Sequence, residues 1–369
     1  MDTLAGTGPR PRPAALRLAA LRQRLAADRI DALVVSKREN IRYLSGFTGT
    51  AGALRIGAGE AVLMTDSRYA EQAGEEASAF DVEVCSGASA LVAALRTPSL
   101  RVGFEAGAMG YELWHRMREV VEGKRGGVLI PCTGLVESLR ARKDASEIAL
   151  IERAARIAAS ALEAVRPMAV PGAVERDLAL EIEFHMRRAG AESIAFDLIV
   201  ASGPRAALPH GRASGRRLQA GEFVVFDIGA RFEGYHSDMT RTLFIGRPGS
   251  RERELYDTVF AAQDRAIGAI RPGVTGQVVD EAARSVIGAA GHAERFGHGT
   301  GHGVGLEVHE SPRIGSASAD VLESGMVVTV EPGVYLPGEC GLRIEDMALV
   351  EETGCRMLTP RPGSNWWQE

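Results

Sequence analysis

The chain has 369 residues, of which 45% are hydrophobic and 25% are charged, a composition typical of a water-soluble globular protein. This length predicts two or three domains, and no apolar run approaches the ~20 residues that a membrane span needs. The net charge of -5 argues against nucleic acid as a partner. The four cysteines lack metal-binding spacing and the N-terminus lacks an apolar signal core, so we expect a cytoplasmic protein with reduced thiols.

The first domain is expected to be of the α/β class. Residues 1–13 contain three prolines and two glycines and are predicted to be a disordered leader. The next segment has apolar residues at helical spacing, and DALVVS, AVLMTD and RVGFEA are typical of short strands between helices. We therefore assign residues 14–137 to this domain and residues 138–369 to a second one. The second domain begins with a long amphipathic helix, which Asp144 or Ser146 would cap.

The second domain contains an internal repeat. The segment PGAVERDLALEIEFHMRRAG from Pro171 resembles PGVTGQVVDEAARSVIGAAG from Pro272, an offset of 101 residues. Downstream, AGEFVVFDIGA from Ala220 matches SGMVVTVEPGV from Ser324, an offset of 104 residues. The agreement between the two offsets predicts two pseudo-equivalent halves.

The repeat presents two carboxylates in each half, at strand ends. It aligns Asp227 with Glu331, and it places Asp238 and Glu345 each four residues after a glycine. An acidic side chain at an apolar strand end is costly to bury without a partner. A single such acid is usually a solvated turn residue or an ion-pair partner, whereas four in matched positions indicate a cation site.

Three of the eight histidines lie in RFGHGTGHGVGLEVHE, Arg295–Glu310. His298 and His302 are four residues apart, as in zinc peptidases that bind the metal from one helix face. The glycines between them disfavour a helix, no glutamate separates them, and their spacing is not that of a dinucleotide-binding loop. We predict an extended or looped segment that adds an imidazole to the carboxylates. Such a ligand set favours Mn²⁺, with Co²⁺ or Zn²⁺ as alternatives.

These motifs resemble those of a known family. FDIGARFEGYHSDMTRT, HGTGHGVGLEVHE, TVEPGVY and GLRIEDM are similar to the motifs of the pita-bread metallopeptidases, which include aminopeptidase P, prolidase and methionine aminopeptidase. The resemblance covers residues 140–355, and the N-terminal domain resembles the creatinase-like domain of the proline-specific branch. It implies an α/β (α+β) protein with a creatinase-like N-terminal domain and a pseudo-symmetric pita-bread catalytic domain.

The resemblance also implies a ligand set for two divalent ions, Mn²⁺ foremost. Asp227 would chelate one ion, Asp238 and Glu345 would bridge both, and His302 and Glu331 would complete the other site. The pair of ions would activate a water molecule and polarise the scissile carbonyl, which predicts amide hydrolysis.

Further residues would assist the reaction. By resemblance, Glu331 is also the proton shuttle, and His210 and His309 stabilise the tetrahedral intermediate and hold the substrate. Arg343 would orient a ligand carboxylate. His298 is expected to line the site and not to bind metal.

Substrate contacts are predicted from two further places. Tyr335 would either form a hydrogen bond near the site or pack against it. The pattern D-x-R-Y resembles that of small bacterial aminopeptidases P and implies that Arg68 and Tyr69 contact the peptide. The alternative is that Asp66 only caps a helix there.

The combined features favour an Xaa-Pro aminopeptidase, whose substrates are peptides with proline in the second position. No inserted loop is evident between Thr242 and Pro272, or in residues 203–217, that could exclude longer peptides. The alternative is an Xaa-Pro dipeptidase, and a remote alternative is a non-catalytic peptide-binding protein on the same fold. Methionine aminopeptidase is disfavoured because of the extra N-terminal domain. We expect a homodimer, with neither nucleic acid nor membrane as a partner.

Overall fold

The computed structural model describes residues 14–85, 101–123, 126–361 and 367–368. The predicted leader therefore lies outside the described residues. The chain divides into two compact units between Arg140 and Ala141. Within the described ranges, no helix is both long and apolar enough to cross a lipid bilayer.

The N-terminal unit is built on one mixed sheet. Its helices are α1 (Ala14–Ala27), α2 (Arg38–Ser45), α3 (Ala70–Glu76), α4 (Tyr111–Arg118) and α5 (Glu137–Arg140). Its strands are β1 (Ala32–Val35), β2 (Gly52–Gly57), β3 (Ala61–Thr65), β4 (Asp81–Val84), β5 (Arg101–Glu105) and β6 (Val128–Cys132). The order in the sheet is β4-β3-β2-β1-β5-β6.

The three segments predicted as strands are β1, β3 and β5. All four residues of β1 are buried, because this strand pairs antiparallel with β2 on one side and parallel with β5 on the other. Parallel pairing requires a crossover connection, and α4 lies between the parallel strands β5 and β6. This is the α/β arrangement expected for the first domain.

The C-terminal unit combines long helices with several sheets. Its helices are α6 (Ala145–Val165), α7 (Glu175–Arg188), α8 (Ser250–Ala269) and α9 (Gly276–Ala289). Its strands are β7 (Ser193–Ile194), β8 (Ile199–Ser202), β9 (Phe223–Ile228), β10 (Ala230–Phe232), β11 (Tyr235–His236), β12 (Met239–Ile245), β13 (Gly301–Gly303), β14 (Glu310–Ile314), β15 (Val327–Val330), β16 (Gly333–Leu336), β17 (Cys340–Arg343), β18 (Asp346–Glu351), β19 (Gly354–Met357) and β20 (Trp367–Gln368). The two larger sheets have the orders β20-β12-β9-β8 and β14-β13-β15-β18-β19.

Corresponding parts of the repeat occupy corresponding places in these sheets. β9 and β15 contain the matched strand segments, and α7 and α9 follow the matched Pro-Gly pairs. An isolated bridge precedes each helix, between Val174 and Arg217 in the first half and between Thr275 and Val321 in the second. The first partners differ by 101 residues and the second partners by 104, which are the offsets found in the sequence. The C-terminal unit is therefore pseudo-symmetric, as predicted.

Of the two candidate caps for α6, Asp144 is the one that the structure uses. Its side chain accepts hydrogen bonds from the backbone nitrogens of Ser146 and Glu147, and the Glu147 side chain accepts one from the backbone nitrogen of Asp144. This reciprocal pair satisfies donors that a helix start leaves without partners. The other carboxylate oxygen of Glu147 accepts the hydroxyl of Tyr235 at 2.9 Å, which ties α6 to β11.

One hydrophobic core extends through both halves of the C-terminal unit. It includes Phe226 of β9, Leu243 of β12, Val328 of β15 and Ala348 of β18, each almost wholly buried. Burial of a large apolar side chain contributes about 1.5–3 kcal/mol to folding. The core thus fixes the ends of four strands, where the acidic residues of the repeat lie.

Candidate active site

Four strand ends present the acidic residues predicted from the repeat. Asp227 lies in β9, Asp238 directly before β12, Glu331 directly after β15, and Glu345 directly before β18. Thr240 joins the two halves, because its hydroxyl donates to Glu345 Oε2 at 2.6 Å and its carbonyl accepts from the Glu345 backbone nitrogen at 3.1 Å. Asp227 and Glu345, the first and last of the four carboxylates in the sequence, are 118 residues apart. The fold thereby brings all four into one region.

His302 adds an imidazole to these carboxylates. It lies in β13, so its segment is extended, as predicted from the glycines. Its Nε2 is 3.4 Å from Glu331 Oε1 and 3.7 Å from Asp238 Oδ2. Its Nδ1 donates to the carbonyl of Gly303 at 3.0 Å, so the Nε2 lone pair is directed at the carboxylates.

One group within this set has the spacing of metal ligands. Single ligand atoms of Asp238, His302 and Glu345 all lie within 4.8 Å of one another. Asp227 and Glu331 border this group. One oxygen of Asp227 accepts from Arg343, while its Oδ1 is buried and, among the described residues, has no hydrogen-bond partner. A buried carboxylate oxygen in that state is costly unless a cation binds it.

The site is electrostatically unfavourable for four carboxylates on their own. Burial, followed by the charges of Glu345 and Asp227, raises the pKa of Asp238 well above its ordinary value. Burial and the charge of Glu331 do the same for the pKa of Glu345. Burial raises the pKa of Glu331 to about 7. Burial also lowers the pKa of His302 to about 4, which keeps its ring neutral and able to bind a metal. This donor set, with its unsatisfied oxygen, fits divalent cations.

Arg343 connects the carboxylates to the site wall. Its Nη2 donates to Asp227 Oδ2 at 2.6 Å, its Nε to the Thr240 hydroxyl at 3.1 Å, and its Nη1 to the Tyr335 hydroxyl at 2.8 Å. Tyr335 Oη is also 2.8 Å from His298 Nε2. Of the two roles considered for Tyr335, the structure therefore has the hydrogen-bonding one, and burial raises the pKa of this phenol to about 12.

His298 lies at the edge of the metal group. Its Nδ1 is 2.8 Å from the carbonyl of Gly299 and 4.0 Å from Glu331 Oε2, so Nδ1 donates to the carbonyl and Nε2 accepts from Tyr335. Burial lowers the pKa of His298 to about 4, so the ring is neutral near pH 7. It holds Tyr335 in place and lies farther from the carboxylates than His302 does.

The other two predicted histidines are neighbours of this group. The rings of His309 and His302 have centroids 4.2 Å apart. Burial lowers the pKa of His309, an effect that the charge of Asp227 opposes. The charge of His210 lowers the pKa of both His309 and His298, and Arg343 Nη1 lies 3.3 Å from the carbonyl of Pro209. His210 itself is exposed to solvent.

Arg68 and Tyr69 belong to the N-terminal unit. Asp66 caps the short 3₁₀ helix Ser67–Tyr69, and its carboxylate also binds the Arg68 side chain, with Nη2 to Oδ2 at 2.7 Å. The Tyr69 hydroxyl is 2.6 Å from the Thr50 hydroxyl. Capping by Asp66 is therefore present. A role of Arg68 and Tyr69 in binding peptide stays a prediction.

Sequence reasoning missed two buried threonines. Thr240 donates to Glu345, and the Thr329 hydroxyl accepts from the His302 backbone nitrogen at 3.0 Å and lies 3.4 Å from Glu331 Oε1. Thr329 is the single polar residue of the strand VVTV, and Thr240 begins the polar run Thr240–Thr242 in the otherwise apolar strand MTRTLFI. That interruption of the apolar pattern is the signal that could have identified them.

Comparison with known proteins agrees with these features. The sequence model of metallopeptidase family M24 matches residues 149–352, and that of the creatinase/prolidase N-terminal domain matches residues 17–142. The chain belongs to metallopeptidase family M24. The predicted family, the fold and the assignment as a metallopeptidase are confirmed.

Three similar proteins illustrate the range within the family. An Xaa-Pro dipeptidase of Pyrococcus furiosus is 39% identical over 331 residues, which cover 89% of this chain and 93% of that protein. The structure of an Xaa-Pro dipeptidase from Bacillus anthracis has a TM-score of 0.92 at 39% identity and covers 96% of this chain and 100% of that one. The structure of an X-Pro aminopeptidase from Thermotoga maritima has a TM-score of 0.86 at 37% identity, and the match covers 95% of this chain and 99% of that one.

Proposed function

We propose that this M24 metallopeptidase is an Xaa-Pro dipeptidase, which was the alternative in the sequence analysis. The aminopeptidase considered first is less well supported, because two of the three similar proteins described above are named Xaa-Pro dipeptidases. The dipeptidase structure also has a TM-score of 0.92, against 0.86 for the X-Pro aminopeptidase structure. The site observation that supports peptidase chemistry is the group of Asp238, His302 and Glu345, beside an Asp227 oxygen that is buried without a hydrogen-bond partner among the described residues.

We propose two divalent ions as cofactors. The residues that would hold them are Asp227, Asp238, His302, Glu331 and Glu345. Four carboxylates and one imidazole favour Mn²⁺, with Co²⁺ or Zn²⁺ as alternatives. When bound, such ions lower the pKa of a water molecule towards neutrality and polarise the scissile carbonyl.

The chain's own residues would perform the remaining steps. Glu331, next to His302, would take the proton of the attacking water and pass it to the proline nitrogen as the bond breaks. His309 and His210 would donate hydrogen bonds to the carbonyl oxygen as negative charge develops on it. Arg343 would hold Asp227 in one orientation through its 2.6 Å hydrogen bond, so that its other oxygen stays directed at the ions.

The other candidate functions have less support. Assignment as a methionine aminopeptidase would leave the creatinase/prolidase N-terminal domain, matched at residues 17–142, without an explanation. A non-catalytic binding protein would have no need to keep four carboxylates and an imidazole gathered in one largely buried site. Both alternatives predict no hydrolysis of Xaa-Pro dipeptides.

A comparison of substrate lengths tests the proposal. With Mn²⁺, the protein should hydrolyse Ala-Pro with a higher kcat/KM than Ala-Pro-Ala, because a dipeptidase pairs the free carboxylate after proline and rejects a longer chain. Chelation should abolish both activities, and returned Mn²⁺ should restore them. A clear preference for Ala-Pro-Ala would return the assignment to the aminopeptidase. Full activity without metal would contradict the proposed mechanism.

A further inference from the structure

Glu175 is a wholly buried carboxylate outside the metal group. It is the first residue of α7, and its side chain accepts hydrogen bonds from two serines and one arginine. Oε1 accepts from the backbone nitrogen and hydroxyl of Ser202, at 2.8 and 2.7 Å. Oε2 accepts from the backbone nitrogen and hydroxyl of Ser214, at 3.0 and 2.6 Å, and from the guanidinium of Arg205. A buried charge is stable only when it is bonded in this way.

The two serines lie at the two ends of one loop. Ser202 is the last residue of β8, Ser214 lies beyond the loop, and residues 203–213 between them contain His210. Arg205 also donates to the carbonyl of Arg212 at 2.7 Å, which closes the loop across its middle. Hydrogen bonds to an ionised acceptor are shorter and stronger than those between neutral groups. The loop that carries His210 is therefore fastened at its base by one carboxylate.

The second half of the repeat has a comparable feature. Asp280 in α9 accepts from the backbone nitrogen and hydroxyl of Thr300, at 3.0 and 2.7 Å, and from Arg284, whose guanidinium also donates to the carbonyl of His298. Asp280 lies one turn after Gly276, which is the repeat partner of Glu175. A Cβ at Gly276 would be 2.1 Å from the carbonyl oxygen of Arg313, so a side chain cannot occupy the equivalent position.

We propose that Glu175 is a positioning residue for His210. This inference rests on the proposed function, in which His210 contacts the substrate carbonyl. Glu175 does not touch the substrate: it fixes the loop ends, and through them the ring that must meet the developing charge. A displacement of the ring would weaken a contact made in the transition state, so kcat should change more than KM.

The test compares Glu175→Gln with Asp177→Asn. Glutamine keeps the size of the side chain but replaces one acceptor oxygen with an NH₂ group, which faces donors. Asp177 is an exposed acid in the same first turn of the helix, so it controls for the helix-terminus charge. Glu175→Gln should lower kcat on Ala-Pro by roughly 10-fold or more, because a displaced His210 ring would lose part of the ~100- to 1000-fold that one such donor contributes. Its metal content should equal that of the wild type, and Asp177→Asn should match the wild type in both kcat and metal content.

A double-mutant cycle distinguishes positioning from general stabilisation. If Glu175 acts through His210, then Glu175→Gln added to His210→Ala should lower kcat by less than about twofold further. An equal loss in both backgrounds would overturn the proposal.

A second readout does not depend on activity. The ring resonance of His210, assigned by its disappearance in His210→Ala, should shift in Glu175→Gln, and the amides of residues 203–213 should exchange faster with solvent. An unchanged resonance and unchanged exchange would overturn the proposal even if Ala-Pro is not the substrate. Should Glu175→Gln not fold, Ser214→Ala removes only one of the hydroxyl donors, and it should change the same resonance and amides in the same direction.

Discussion

The Thr240→Val substitution tests how the two halves of the repeat are joined at the metal site. Thr240 is fully buried, donates to Glu345 Oε2 at 2.6 Å and accepts from Arg343 Nε at 3.1 Å. Valine has nearly the same shape, so packing should be retained while both hydrogen bonds are lost. Glu345 would then be free to rotate, and Arg343 Nε would lose its acceptor.

The magnitude follows from these two bonds. Leaving a buried donor such as Arg343 Nε without a partner should lower the free energy of unfolding by about 1–3 kcal/mol. Loss of an outer hydrogen bond to a metal-binding carboxylate typically weakens metal binding by roughly 10- to 100-fold. We therefore expect both a less stable protein and a higher Kd for Mn²⁺.

Thr242→Val is the matched control. Thr242 lies two residues along the same strand and is buried, but its hydroxyl bonds to the backbone of Arg343, at 2.8 Å to the carbonyl and 3.2 Å to the nitrogen. Denaturant unfolding of the metal-free proteins should give similar losses of stability for the two variants. Calorimetric titration with Mn²⁺ should give a raised Kd for Thr240→Val only. Equal Kd values for both variants would refute the claim that Thr240 orients Glu345.

Three further predictions concern the histidines and the second half of the repeat. His302→Ala should lose bound metal, whereas His309→Ala should keep its metal content and have a kcat about 100- to 1000-fold lower. Equal metal contents in the two variants, measured by elemental analysis, would contradict this division of roles. In the metal-free protein, burial lowers the pKa of His298 from 6.5 to about 4. Between these pH values the unfolded chain binds more protons than the folded one, so the free energy of unfolding decreases as the pH falls from 6.5 to 4. His298→Gln should reduce this slope in denaturant titrations, and an unchanged slope would contradict the shift. Asp280→Asn should speed amide exchange around Thr300 relative to the exposed-acid control Glu281→Gln, and identical exchange in both would show that Asp280 does not fasten this segment.

Much of the site was predictable because its chemistry is local in the sequence. The repeat identified Asp227 and Glu331 as equivalent residues, and the glycines around His302 excluded a helix. The capping residue of α6 was narrowed to Asp144 or Ser146 from residue type alone. These inferences succeed because strand ends, caps and glycine-rich turns depend on a few adjacent residues.

Peptide specificity was harder to predict than the metal ligands. The D-x-R-Y pattern and the absence of an inserted loop, in residues 203–217 or between Thr242 and Pro272, led to the aminopeptidase. Similar proteins favour the dipeptidase instead. Between those residues the structure has the end of β12, the helix α8 and short connections. A search of two segments for inserted loops could not decide which cation meets the substrate carboxylate, because such a group can come from any part of the fold.

The sequence by itself determined the family, the pseudo-symmetric domain and the five candidate ligands, since each depends on residue type at a fixed spacing. Only the tertiary structure decided which hydroxyls and carboxylates hold those ligands. Thr240 bonds to Glu345 across 105 residues, and Arg343 bonds to Asp227 across 116. Glu175 is an ordinary first-turn acid in the sequence and becomes a buried acceptor only when Ser202 and Ser214 fold against it. The partners of a buried polar group are set by packing between distant segments, and no local pattern records them.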